Sequence, residues 1–149
     1  MPYEFDIVDT PATTLATASA VVRMEEIPQR ITGLFDVVYG WLRESGRQHG
    51  GHNHALYRPH SDGLMLQVGV PVSVPFEDAD LVRCVELPAL RAAHTRHHGE
   101  YSGLPRANAA LRKWCSQRSL ATGPLCWEVY GDWHDEPSRL VTDVYFELL

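Results

Sequence analysis

Ile31-Thr-Gly-Leu-Phe-Asp-Val-Val-Tyr-Gly-Trp-Leu42 places apolar side chains at Ile31, Leu34, Phe35, Val38, Trp41 and Leu42. Recurrence at i, i+3, i+4, i+7, i+10 and i+11 is the apolar stripe of an amphipathic helix, with Pro28 near its start and Gly46 just past its end. A helix with one such stripe must bury it against another element, and the flanking sequence reads as strands. Before it lies Ala12–Val22, rich in Thr, Val and Ala. After it, the loop Arg47-Gln-His-Gly-Gly-His-Asn53 leads to strands over His54–Arg58 and Leu64–Val72, joined through the turn Pro59-His-Ser-Asp-Gly63.

The second half repeats this order. Leu81–His98 reads as a strand pair or one long bent strand, with Pro88 at an edge or bulge. Leu104, Ala107, Asn108, Leu111, Trp114 and Cys115 mark a second helix, with Ser102 as a candidate N-cap and Pro105 in the first turn. Gly123-Pro124 punctuates, and Leu125–Tyr130 and Leu140–Leu148 read as the last strands, joined by the charged loop Asp132–Arg139. Trp41 and Trp114 lie 73 positions apart, as do Tyr57 and Tyr130. The expectation is an α+β domain of duplicated strand-helix-strand-strand units, about 1–75 and 76–149. An antiparallel sheet would carry two helices, with a cleft between the halves.

A chain of 149 residues buries roughly 68–70% of its unfolded surface, enough for a single domain over 1–149. At 44% hydrophobic and 21% charged residues it has the balance of a soluble globular protein. No apolar run approaches a membrane span and no secretory leader is visible, so no membrane partner and a cytoplasmic location are expected. Net charge is −6, and no arginine stripe of the kind that neutralises phosphates appears, so no direct nucleic-acid partner is expected. Cys84, Cys115 and Cys126 form no C-x-x-C pair and read as reduced structural thiols.

Trp127-Glu-Val-Tyr130 is the most informative tetrad. On a strand Glu128 and Tyr130 share one face while Trp127 and Val129 take the other. A carboxylate among Cys126, Trp127, Val129 and Tyr130 is costly unless it finds a partner or keeps its proton. It is either paired structurally or faces a ligand. Tyr57, Tyr101, Tyr130 and Tyr145 fall on or beside strands, and Phe35, Trp41 and Trp114 on helix stripes. Most belong in a core, but several tyrosines on one sheet face around a glutamate would suit a flat, cationic or polarised ligand. Tyr145 shares its face with Val141 and Asp143. His49, His52 and His54 in one loop, and His94, His97 and His98 in another segment, lack the preorganisation of a metal site, so no metal is expected. No phosphate loop and no nucleophile elbow is present, and no cofactor is expected.

The segment 31–42 also resembles the first helix of the GyrI-like small-molecule-binding domain, the effector-binding domain fused to AraC-type and MerR-type regulators. The resemblance continues through Ala55-Leu-Tyr57, Gln67-Val-Gly-Val-Pro-Val72, Leu87-Pro-Ala89 and His98-Gly-Glu-Tyr-Ser-Gly-Leu104. It runs on through Ala110-Leu-Arg-Lys-Trp114, Trp127-Glu-Val-Tyr130 and Thr142-Asp-Val-Tyr145. It implies an SHS2-like pair of units with a ligand cleft between the halves and the central acid at Glu128. No helix-turn-helix flanks the domain, so a stand-alone member is expected. The function implied is binding of amphipathic, cationic aromatic small molecules, as a ligand-binding or drug-sequestering protein. Glu128 would be the countercharge, and Tyr57, Tyr130, Tyr145, Phe35 and Trp41 would line the site. Two alternatives stand beside it. One is a hydrolase of strained, cyclopropane-bearing molecules that uses Glu128 and Tyr145; the other is a DNA gyrase inhibitory protein. The protein partners implied are a regulator or gyrase, and exposed sheet edges leave a homodimer open.

Overall fold

The computed structural model describes residues 2–149. The chain is α+β, with strands β1 (Phe5–Thr10), β2 (Thr13–Val22), β3 (His54–His60), β4 (Gly63–Pro71), β5 (Arg83–Leu87), β6 (Leu90–His98), β7 (Thr122–Tyr130) and β8 (Val141–Leu148). Its two α-helices are α1 (Ile27–Ser45) and α2 (Leu104–Gln117). It forms two compact units: Ala12–Pro88, and Ala89–Leu149 together with the residues up to Pro11. No described helix is long and apolar enough to cross a membrane.

In the Ala12–Pro88 unit the strands lie in the order β3-β4-β2-β5, every pair antiparallel. The apolar stripe of α1 covers one face: Val38 and Leu42 pack with Ala16, Ala18, Val70, Val72 and Val82. The helix has Pro28 in its first turn and ends on Gly46, whose left-handed φ of 66° suits a glycine C-cap. Gly69 is required for a different reason. It pairs with Thr17 and His54, and a Cβ there would sit 2.5 Å from the carbonyl oxygen of Ala16. Because β2 cannot retreat without breaking its ladders to β4 and β5, Gly69→Ala should cost about 3 kcal/mol, at the upper end of overpacking penalties. Urea unfolding measures this.

The other unit repeats the plan in the order β1-β6-β8-β7, again antiparallel throughout. Leu104, Ala107, Leu111 and Cys115 of α2 pack on Ala93, Val144 and Phe146. All three cysteines are free.

Three expectations need correction. The segment 81–98 forms two strands that do not pair with one another: β5 joins β2, and β6 lies between β1 and β8. Each strand-helix-strand-strand core thus gains one extra edge strand, and β1 sits in the unit built from the second half of the chain. The units therefore divide at 11/12 and 88/89 rather than at 75/76. Ser102 does not cap α2; Gly103 holds that position without a side-chain bond, and the Ser102 hydroxyl donates to Glu100 instead.

Candidate functional site

Strand pairing decides which side chains meet. Glu128 stands opposite Val144, Tyr130 opposite Thr142, and Trp127 opposite Tyr145. Since Val144 belongs to the α2 core, Glu128, Tyr130 and Thr142 lie on the helix-covered face, and Trp127 and Tyr145 on the other.

On that inner face Glu128 is only 5% exposed. The Tyr130 hydroxyl donates to its Oε1 at 2.8 Å. The Asn108 amide of α2 donates to its Oε2 at 3.1 Å, and the same amide nitrogen donates to the Leu104 carbonyl at 2.9 Å. Both carboxylate oxygens are thereby oriented by neutral donors, one from the sheet and one from the helix. Tyr101 meets Tyr130 edge-on, with ring centroids 5.6 Å apart. It is 42% exposed and lies in the short 3-10 turn Tyr101–Gly103 that leads into α2. That turn rests on His97. The ring Nε2 donates to the Glu100 carbonyl at 2.8 Å, so Nδ1 is left to accept from the Tyr3 hydroxyl at 2.9 Å. A Cβ at Gly103 would come within 2.6 Å of the imidazole, so the turn packs this closely only because residue 103 is glycine.

The opposite face carries a separate polar cluster. His94 Nδ1 lies 2.7 Å from Asp6, and its Nε2 2.7 Å from Asp143, which also accepts from Arg96 Nε at 3.0 Å. A carboxylate on each ring nitrogen favours the imidazolium form of His94. Burial alone would lower its pKa, but the hydrogen bonds and charges of Asp143 and Asp6 outweigh that and raise it. Asp143 moves the other way: burial would raise its pKa, but His94 and Arg96 hold it below the ordinary value. The Tyr145 ring lies 4.9 Å from that of His94 and stacks on Trp127 at 5.0 Å. Burial, with Asp143 adding to it, pushes the Tyr145 hydroxyl up to about 12.

This cluster predicts a pH dependence of stability. A raised histidine pKa contributes stability that is complete below the ordinary imidazole value of about 6.5 and is lost as pH rises through the folded value. Unfolding free energy should therefore fall from pH 6.5 upward, and the fall should flatten in His94→Gln. Denaturant melts across that range read it directly; an unchanged slope in the variant would remove His94 as the cause.

Of the six residues singled out as candidates, Glu128 and Tyr130 are directly bonded. Tyr145 is in the same unit but on the opposite face of the sheet, opposite Trp127. Tyr57, Phe35 and Trp41 belong to the other unit. Tyr57 is half-buried in β3 opposite Leu66. Phe35 is half-buried on α1, and Trp41 packs against Phe76 at 4.5 Å, with the Arg47 guanidinium over both rings. Gln67 accepts from Arg58 at 3.0 Å and reaches Thr17 at 3.3 Å. Asn108 and Thr142 were not singled out as site residues. Asn108 could have been: it is the polar residue inside the apolar stripe of α2. Among the described residues no group of three or more His, Cys, Asp or Glu side chains is arranged to hold a metal ion.

A helix laid over a four-stranded antiparallel sheet occurs twice, and in one unit the helix meets a buried strand glutamate: these are the features of a small-molecule-binding α+β domain. The chain belongs to the GyrI-like small molecule binding domain family, whose sequence profile matches residues 3–149. No curated protein matches the sequence. Among solved structures the chain is similar to the EcmrR C-terminal domain, with a TM-score of 0.80 and 14% identity, over 100% of this chain and 99% of that one. It is similar to SAV2435 bound to tetraphenylphosphonium, with a TM-score of 0.70 and 15% identity, over 98% and 94% of the two chains. A hydrolase from Listeria innocua shares the fold at a TM-score of 0.66 and 10% identity, over 98% and 92%.

Proposed function

We propose that this protein binds amphipathic, cationic aromatic small molecules with Glu128 as the countercharge. The observation that carries the reading is a buried carboxylate whose two oxygens are held in place by Tyr130 and Asn108, with aromatic rings beside it. A cation that reaches this carboxylate meets it in a medium where attraction is screened far less than in water, and the faces of Tyr130 and Tyr101 add cation–π attraction. Tyr101, the exposed ring of the pair, moves to admit the ligand at little cost to the core. The likeness to SAV2435, solved with a lipophilic phosphonium cation, supports the same ligand class.

Intrinsic tryptophan fluorescence of the protein titrated with tetraphenylphosphonium and, separately, with neutral triphenylphosphine oxide tests this. The expected result is saturable binding that favours the cation at least tenfold. Equal affinities, or no binding of the cation, would overturn it. A second reading is hydrolysis of a strained, cyclopropane-bearing molecule, with Glu128 drawing a proton from water as general base. It is supported by the Listeria innocua hydrolase and by the Tyr130 hydroxyl on Glu128. Mass analysis of protein incubated with such a substrate separates the two: an unchanged mass supports binding, a hydrated product supports hydrolysis.

A further inference from the structure

Thr142 is 0% exposed, and its hydroxyl oxygen has no hydrogen-bond partner among the described residues. A buried hydroxyl left without a partner is destabilising, whereas the isosteric valine would carry no such cost. Core packing alone therefore does not account for threonine here.

The neighbours explain why nothing satisfies it. Thr142 stands opposite Tyr130 on β7 and opposite His97 on β6. The Tyr130 hydroxyl is directed to Glu128. Both nitrogens of His97 are engaged, one by Tyr3 and the other by the Glu100 carbonyl. Strand alternation points Thr142 to the same side as Glu128, with which it forms a diagonal cross-strand pair. Such pairs lie roughly 7–8 Å apart.

We infer that the Thr142 hydroxyl is a second polar anchor of the Glu128 site, so that the favoured ligand is a lipophilic cation bearing a hydrogen-bonding group one aromatic ring away from its charge. This rests on Glu128 being the countercharge, and it narrows that reading from cations in general to hydroxyl- or carbonyl-bearing ones. An aryl arm with a para substituent spans the distance between the two anchors, and Thr142 can donate to an ether or carbonyl oxygen or accept from a phenol.

A matched pair of probes tests it: tetraphenylphosphonium and (4-hydroxyphenyl)triphenylphosphonium, titrated against wild type, Thr142→Val and Thr142→Ser. Wild type should prefer the hydroxylated probe by about three- to tenfold, the range one net hydrogen bond supplies. In Thr142→Val the preference should vanish, and Thr142→Ser should retain it. A wild type indifferent to the added hydroxyl overturns the inference even if no variant folds. So does a valine variant that keeps the preference, as it would if Thr142 bound only an ordered water. Failure of tetraphenylphosphonium itself to bind wild type instead removes the Glu128 reading on which the inference stands.

Discussion

Glu128→Gln should weaken tetraphenylphosphonium binding roughly 10–100-fold, at 1.4 kcal/mol per tenfold step, while triphenylphosphine oxide binds unchanged. The substitution isolates charge because the local hydrogen bonds survive it. The new amide can turn its oxygen to the Asn108 donor and its NH2 to Tyr130, whose hydroxyl rotates from donating to accepting. The carboxylate's contacts, 2.8 Å to Tyr130 and 3.1 Å to Asn108, leave room for that exchange without repacking. Loss of affinity for both probes together would mean that Glu128 shapes the site rather than charging it. Equal affinity of variant and wild type for the cation would return Glu128 to a structural role. Circular dichroism and a thermal melt of the variant check that the fold is intact.

The largest effect on stability should come from Trp127→Ala. Trp127 is only 2% exposed, and its ring stacks on Tyr145 at an interplanar angle of 12°. Truncation removes an indole from a packed site and leaves a cavity, typically 3–5 kcal/mol for a buried aromatic. In a chain of this size that lowers Tm by about 10 °C. Calorimetry would show it, and a shift below about 3 °C would mean that the surrounding strands collapse onto the gap. Because Trp127 and Glu128 face opposite sides of β7, the lesion should act on stability first, with the tetraphenylphosphonium affinity of the protein that remains folded largely retained.

Much of the fold was legible because its signals are local. The stripe from Ile31 to Leu42, bounded by Pro28 and Gly46, locates α1, and Leu104 to Cys115 locates α2. Strand β1 was missed because Phe5-Asp-Ile-Val-Asp-Thr10 is a half-exposed edge strand, with too little buried surface to impose a pattern. The site was legible within a strand and not between strands. Alternation puts Glu128 and Tyr130 together, but which residues of β8 join them depends on register. A bulge between Thr122 and Cys126 shifts that register, and a one-residue slip exchanges the faces. That is why Tyr145 proved to face away and Thr142 to face in. Asn108 illustrates a signal present but undervalued: an amide in an apolar stripe needs a buried partner, and Glu128 is that partner.

The extra edge strand of the Glu128-bearing unit has a consequence for synthesis. On a ribosome adding about 5–20 residues per second, β1 emerges long before its partners: Tyr3 bonds His97 across 94 positions, and Phe5 pairs with Thr95. Ala12–Pro88 can complete its own ladders in the meantime, while β1 waits several seconds as an unpaired strand. The nascent chain thus passes through a stage in which one unit is finished and the Glu128-bearing one is open at its edge. During that interval a chaperone, or a second nascent copy, has its best opportunity to capture β1.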